Sequence, residues 1–198
     1  MGSAKRVLRA ALLGGLVGLG PLAAPFACEA PADAEISEPD RQRLAGLETS
    51  RQRGLGAALL AGSPADRQAL SALFAAGQAP ADPLPDGDYR CRVLKLGGLL
   101  PLTVYGYFDC TVSAGAIEKL TGSQRFSGTL TPASDGGFLY AGALHYGDEA
   151  PIAYGADAER DQVGCLYRVG GDGERYRLEL PSPHFESVHD IVELVPES

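Results

Sequence analysis

Apolar and polar residues alternate along the C-terminal part of the chain, in short runs that Gly, Pro and Asp residues separate. The pattern predicts seven strands, at 89–96, 102–112, 124–131, 138–146, 163–169, 176–180 and 188–194, with 152–154 as an eighth candidate. The connections are too short for crossover helices, so the sheet is expected to be mostly antiparallel. Seven or eight such strands usually close into a small barrel or split into a sandwich.

Helical patterns precede the strands, and residues 35–77 are predicted to form two helices. Ser63 can cap the second helix, Pro64 suits its first position, and Gly77 ends its apolar stripe. The fold class is therefore α+β, mainly β, with an N-terminal helical hairpin before the barrel or sandwich. The predicted segments are a signal region at 1–34, the helical pair at 35–77, a proline-rich linker at 78–88 and the β domain at 89–196.

The first 34 residues are typical of a secretory signal. Lys5, Arg6 and Arg9 precede an apolar run over residues 10–20. Cleavage is expected within 27–34, which makes the protein periplasmic or secreted. A lipoprotein anchored at Cys28 is the minor alternative.

The net charge of the chain argues against nucleic acid as a partner. The chain has 17 basic and 25 acidic residues, a net charge of −8, and no basic patch after the signal region, so nucleic acid is not expected to bind. No later apolar stretch is long enough to cross a bilayer. The partner is left as an unknown small ligand or an envelope protein.

The cysteines outside the signal region allow the strand register of the first hairpin to be predicted. Pairing Cys91 with Cys110 permits a disulfide between adjacent strands, and we predict that this disulfide forms. The same register places Lys95 opposite Gly106, pointing inward at a strand end. Lys95 then either extends to water or contacts a buried acid or an anionic ligand. Cys165 is expected to be a free thiol in the core.

That register also assigns the faces of the hairpin. It sets Val93 opposite Phe108, and period-two alternation then places one set of side chains on a common face. The set is Cys91, Val93, Val104, Phe108 and Val112.

No established catalytic, phosphate-binding or metal-binding motif occurs in the sequence. His184 and His189 would point to opposite faces of a strand, which argues against a metal site. No cofactor and no catalytic residue is therefore assigned.

Polar segments stand instead at the strand ends, as "LTGSQR", "YGDE", "YGADAERDQVG" and "ELPSPHFES". The residues of each segment could serve only to form a turn. If they converge on one rim, they form a ligand site. Its candidate residues are Lys95, Arg125, Tyr146, Asp148, Glu149, Tyr154, Arg160, Asp161 and Gln162.

The same segments, together with "DGDYRCRVLKLGG" and "SVHDIVELVP", resemble sequences of the bacterial exported proteins grouped as domain of unknown function 4893. The resemblance covers roughly residues 85–196, with a looser match over the helices. It implies a small exported β-rich domain after a helical lead-in, and it implies no activity and no catalytic residue.

Three functions remain open from the sequence. The first is a non-catalytic binding module of the cell envelope with a polar site at the strand-end rim. The second is an envelope hydrolase that uses paired carboxylates, Asp148 or Glu149 with Asp161. The third is an inhibitor or scaffold that binds another envelope protein.

Overall fold

The computed structural model describes residues 1–2, 29–75, 77–79, 81–134, 136–147, 149–171 and 174–197. The predicted signal segment with Cys28, and the candidate Asp148, lie outside the described residues, apart from Met1, Gly2 and 29–34. Three helices come first: α1 (Glu38–Ala45), α2 (Leu47–Ala61) and α3 (Pro64–Ala72). The strands are β1 (Gln78–Ala79), β2 (Gly87–Leu96), β3 (Leu102–Val104), β4 (Phe108–Ser113), β5 (Ala116–Lys119), β6 (Gln124–Pro132), β7 (Phe138–Tyr146), β8 (Asp161–Val169), β9 (Tyr176–Pro181) and β10 (His189–Pro196).

Eight antiparallel strands form a closed barrel. The hydrogen-bonded order is β8, β7, β6, β5, β4, β2, β10 and β9, and β9 pairs again with β8 to close the ring. The two short strands are additions, since β3 pairs with β2 and β1 pairs with β8. The mainly β prediction is confirmed, and of its two architectures the barrel is the one that forms.

A serine caps the N-terminus of α1 and of α3. The cap of α3 by Ser63 is the one that the sequence predicts. The Ser37 hydroxyl accepts a hydrogen bond from the Asp40 backbone N–H, and the Ser63 hydroxyl accepts one from that of Asp66. Gly46 separates α1 from α2, so three helices form over the segment where the pattern indicates two. Gln78–Ala79, inside the predicted linker, forms the short strand β1.

Side chains of each strand alternate between the barrel interior and its outer wall. In β2, Tyr89 and Cys91 belong to the interior cluster, whereas Leu94 and Leu96 pack outward with Leu70 of α3. A third apolar cluster covers β7 and β8 beside α1. Because helices cover the wall of β8, β9 and β10, these strands are buried on both faces.

The Cys91–Cys110 disulfide is confirmed, with the two Cα atoms 5.9 Å apart. The predicted register of the hairpin is wrong. Cys91 lies opposite Phe108, and Cys110 lies opposite Tyr89, so the bond crosses the strand pair diagonally. Because both cysteines face inward in either register, their spacing alone did not distinguish the two.

The second strand of that hairpin is also interrupted at residues 105–107, where the register changes by one residue between β3 and β4. Val104 therefore packs in the outer cluster beside α3. The predicted register had placed it on the same face as Cys91, which belongs to the interior cluster. Thr103, not Gly106, lies opposite Lys95.

Cys165 is disulfide-bonded, so the prediction of a free thiol is wrong. Its side chain is buried, as expected, in the cluster between β7, β8 and α1. The prediction had paired Cys91 with Cys110, which left Cys165 as the odd cysteine outside the signal region.

One strand was not predicted, and one candidate strand does not form. β5 lies where the sequence was interpreted as a connection, after a turn in which Ala114 and Gly115 both adopt positive φ. Residues 152–154 form no strand.

The antiparallel order brings the polar segments to one end of the barrel. At this end β2, β5, β7 and β9 finish, while β4, β6, β8 and β10 begin. All four polar segments connect strands here, so we call this end the mouth.

The disulfide is expected to stabilise the fold through its 19-residue separation. Chain-entropy arguments give about 3 kcal/mol for a loop of this length, as an upper value. A variant with Cys91→Ala and Cys110→Ala should lose roughly that much unfolding free energy in urea denaturation. Each single variant should lose nearly as much as the double variant, because either change removes the whole bond. Losses that simply add, or a double-variant loss below about 1 kcal/mol, would contradict the role assigned to the bond.

Candidate functional site

The mouth contains a small inner cavity of about 40 Å³. Interior side chains of the strands line its wall, and the segment between β9 and β10 covers it. The strands contribute Lys95, Lys119, Gln124, Asp161, Gln162 and Asp190 to its polar lining, and Arg43, Glu159 and His184 line it from outside the strands. A wider outer groove of about 210 Å³ lies beside it and shares Val93, Lys95, Lys119 and Gln124.

Lys95 is paired with two acids at this end. Its Nζ lies 3.4 Å from Asp190 Oδ2 and 3.2 Å from Glu186 Oε2. Burial alone would lower the pKa of Lys95, but the two carboxylates outweigh it and raise that pKa. Burial raises the pKa of Asp190, and Lys95 and Ser187 offset the effect only in part. Of the alternatives that the sequence left open, contact with a buried acid is the one the structure shows.

Lys119, unlike Lys95, is buried and has no carboxylate partner among the described residues. Its Nζ donates hydrogen bonds of 2.6 Å to the carbonyl oxygens of Thr121 and Gln124, and lies 3.7 Å from the centroid of the Phe108 ring. Across the described ranges no acid lies within ion-pair distance of it. Burial, with a smaller contribution from the charge of Arg125, lowers the pKa of Lys119 to about 8.

Gln162 completes the wall with an unsatisfied group. The residue is only 6% exposed, and its side-chain Oε1 has no hydrogen-bond partner among the residues that the structure describes. A buried amide oxygen without a donor costs on the order of 1–3 kcal/mol. An oxygen of this kind beside a cavity is suited to accept a hydrogen bond from a bound molecule.

Residues of α1 and of the β9–β10 segment close the cavity from outside. Arg43 Nη1 donates to Asp40 Oδ1 at 2.7 Å and to the Asp161 carbonyl at 3.1 Å, and lies 3.3 Å from His184 Nε2. Phe185 adjoins His184 and also lines the cavity. Arg43 therefore connects helix α1 to both sides of the mouth.

A second group of the predicted residues meets on the surface, outside the cavity. Arg160 Nη1 lies 2.6 Å from Glu149 Oε2, and the Arg160 guanidinium lies 5.2 Å from the centroid of the Tyr146 ring. The hydrogen bond from Arg160 lowers the pKa of Glu149. Arg125 donates from Nε to the Gly122 carbonyl.

The remaining two predicted residues point toward α1. Tyr154 donates its hydroxyl proton to Asp40. The Asp161 carboxylate accepts a hydrogen bond of 2.9 Å from the Gly155 N–H. Of the predicted site, then, Lys95 and Gln162 line the inner cavity with inward side chains, and Asp161 borders it while its carboxylate turns to Gly155. Arg125, Tyr146, Glu149, Tyr154 and Arg160 lie elsewhere around that end.

Sequence reasoning missed Lys119, Gln124 and Asp190. Lys119 alternates with the interior Ile117, but β5 is four residues long and was not recognised as a strand. Asp190 alternates with Val192 in the last predicted strand, and that period would have placed it on the inner face. In the described part of the chain, no three His, Cys, Asp or Glu residues are grouped to hold a metal ion.

Comparison with known proteins gives a family. The family model described as "Domain of unknown function (DUF4893)" matches residues 33–194. The chain belongs to this family. No curated protein and no solved structure shows significant similarity to it. None of the described helices of this DUF4893 protein is long and apolar enough to cross a membrane.

The DUF4893 barrel carries a second polar cluster on its outer wall, beneath α2. Ser50 Oγ lies 3.0 Å from His189 Nδ1, and His189 Nε2 lies 3.1 Å from Glu179 Oε2. The order of groups resembles a Ser–His–acid triad. Ser50 nevertheless donates to the Val188 carbonyl at 2.8 Å, and His189 and Glu179 have no exposed surface. With no opening to this serine, we assign the cluster a structural role.

Glu179 is the centre of that cluster. Its carboxylate lies 2.6 Å from Arg51 Nε and 2.8 Å from Arg177 Nε. Arg177 also donates to the Leu73 carbonyl at 2.6 Å, at the end of α3. Burial would raise the pKa of Glu179, but His189 and the two arginines outweigh it and lower that pKa from 4.5 to about 2.

Glu179 should therefore govern the acid stability of the DUF4893 fold. Its pKa is lower in the folded than in the unfolded chain, so its contribution is complete above pH 4.5 and declines as the pH falls toward about 2. Glu179→Gln should lower the unfolding free energy at pH 7 by roughly 3–5 kcal/mol, because it leaves buried cations unpaired. The variant should also lose less stability than the parent between pH 5 and about 2.

Glu48→Gln is the matched control, since Glu48 pairs with the same Arg51 but has a side chain 53% exposed. It should cost less than about 1 kcal/mol. Urea unfolding across pH gives both results, and similar losses for the two variants would show that the buried network does not anchor α2.

Proposed function

We propose that this protein is an exported, non-catalytic binding module of the cell envelope that holds a small ligand in the barrel mouth. The observation that carries the proposal is Gln162, whose buried Oε1 lacks a partner beside the inner cavity. Ligand sites of small barrels commonly open at this position.

The contrast between the mouth and the rest of the interior supports a ligand site. The interior core cluster consists of apolar and aromatic side chains together with the disulfide. The mouth instead buries Lys119, Gln162 and Asp190. Burying charged and amide groups costs free energy, and apolar residues would fill a small barrel at lower cost. A bound polar molecule would account for placing these groups here.

Export is supported by the basic and apolar pattern of the N-terminal segment. The oxidised state of Cys91, Cys110 and Cys165 agrees with it, because stable disulfides are rare in reducing compartments. Fractionation of cells that express the full chain tests this part, with recovery in the cytosol as the contrary result.

A ligand screen on the purified protein tests the binding part. Gln162→Leu should retain or gain stability, by up to about 1 kcal/mol, because it removes an unsatisfied buried oxygen. It should weaken binding of a mouth ligand at least tenfold, a loss of about 1.4 kcal/mol. Binding is followed by calorimetry with compounds first found by thermal shift in a metabolite and envelope-glycan panel.

Gln68→Leu, at an exposed position of α3, is the control for this change. It should leave the affinity for the same compounds unaltered. The proposal is overturned if Gln162→Leu binds every compound as well as the parent, or if no compound distinguishes the two variants.

A carboxylate-dependent hydrolase is the second candidate, on one observation. Asp161 and Asp190 line the same inner cavity, and burial raises the pKa of both. An acid with a raised pKa can serve as a proton donor. Turnover of glycoside or ester substrates that disappears in Asp161→Asn or in Asp190→Asn would favour this candidate over a binding module.

A further inference from the structure

We propose that the ligand of the mouth is a small carboxylate with an apolar body, such as an aromatic acid, whose charge is bound by Lys119. The inference rests on the binding function proposed above and concerns the same cavity and groove. It adds the sign of the ligand charge, the residue that receives it and the kind of surface that holds the rest.

The distribution of charge at the mouth favours an anionic ligand. Lys95 already has two carboxylate partners, Asp190 and Glu186. Lys119 is buried and has no acid partner in the described ranges. A buried ammonium normally has a counter-ion, because the isolated charge is costly to bury. One bound carboxylate would supply the missing negative charge.

The hydrogen-bonding capacity of Lys119 favours a carboxylate over a phosphate. An ammonium group has three N–H donors, and two are used by the carbonyl oxygens of Thr121 and Gln124. Lys119 lines both the inner cavity and the outer groove. No protein oxygen in the described ranges accepts a third hydrogen bond from Nζ, which otherwise lies over the Phe108 ring, so a ligand oxygen in either space could accept one. A single donor matches one carboxylate oxygen better than a phosphate, whose two charges would need further cations.

The groove beside Lys119 is suited to a small apolar body. Val93, Tyr105 and Phe108 contribute apolar and aromatic surface to it. Its volume of about 210 Å³ is below the range of about 300–1,000 Å³ that is typical for drug-sized ligands. The groove is suited to a body of the size of one ring, which could pack against the aromatic side chains.

Benzoate and benzamide are the probes, since they share a ring and differ in charge. In calorimetric and NMR titrations of the purified protein at pH 7, benzoate should bind at least tenfold more tightly than benzamide. Acetate and inorganic phosphate should bind more weakly than benzoate, because the first lacks the apolar body and the second carries more charge than the site can neutralise.

Lys119→Met should remove the preference for benzoate and leave weak binding of both ring compounds. Arg53→Met makes the same change of charge at an exposed position of α2 and should keep the preference. Because Lys119→Met could disturb the fold, the titration of Lys119 itself provides a second measurement on the unaltered protein. Its NMR titration midpoint should lie near 8 without ligand and rise when benzoate is added.

The pH dependence has a defined sign. Lys119 is an ammonium below its pKa of about 8 and loses its charge above it. Benzoate binding should therefore weaken as the pH rises from 7 to 10, whereas benzamide binding should not change.

The inference is overturned if benzoate and benzamide bind equally, if Arg53→Met removes the preference as fully as Lys119→Met, or if benzoate leaves the titration of Lys119 unmoved. These results are separable from failure of the proposed function. If only neutral compounds bind in a Gln162-dependent way, the proposed binding function stands and the proposed carboxylate ligand is wrong. Absence of any Gln162-dependent ligand, together with equal binding of benzoate and benzamide, would reject both.

Discussion

Closure of the eight-stranded sheet is the constraint on which the rest of the structure depends. Once β9 pairs with both β8 and β10, each inward side chain must share a narrow interior, and the middle of a small barrel is filled by side chains. Tyr89, Tyr140 and Leu178 are buried there with the disulfide of Cys91 and Cys110. Polar groups can then enter the interior only where strands end, so a site of this fold belongs at an end of the barrel.

The same closure explains the helices. A barrel has an outer wall as well as an interior, and apolar residues such as Leu96 and Leu139 on that wall need cover. The helices supply it, and the Glu179 network fixes α2 in place, because a buried carboxylate between two arginines and a histidine tolerates little displacement. Arg43 of α1 contacts the mouth directly, which makes the helical cover part of the site as well as of the fold.

Much of this fold follows from local patterns, and most of the site does not. Period-two alternation predicts the long strands, and the cysteine spacing indicates the Cys91–Cys110 bond. The alternation allows registers that differ by two residues, because both keep Cys91 and Cys110 facing inward. Lys119 was missed because β5 is too short to show a period, and the Ser50–His189–Glu179 contacts were missed because they join residues up to 139 positions apart. Lys95, Asp161 and Gln162 were found because each lies at the end of a strand that the pattern does identify.

Long-range and short-range electrostatics act in opposite directions at the mouth. The chain has a net charge of −8, so the field of the whole protein repels an anion at distances beyond a few ångströms. At physiological ionic strength that field is screened over about 8 Å. Lys119, in contrast, is buried, where the surrounding dielectric is lower and a single contact is stronger. An anion would therefore gain its affinity only after entering the groove, and selectivity would be determined by the fit of its body against Tyr105 and Phe108 and not by attraction from solution. Such an arrangement favours small ligands that can enter fully, and it disfavours the anionic surfaces and polymers that a basic exterior would attract.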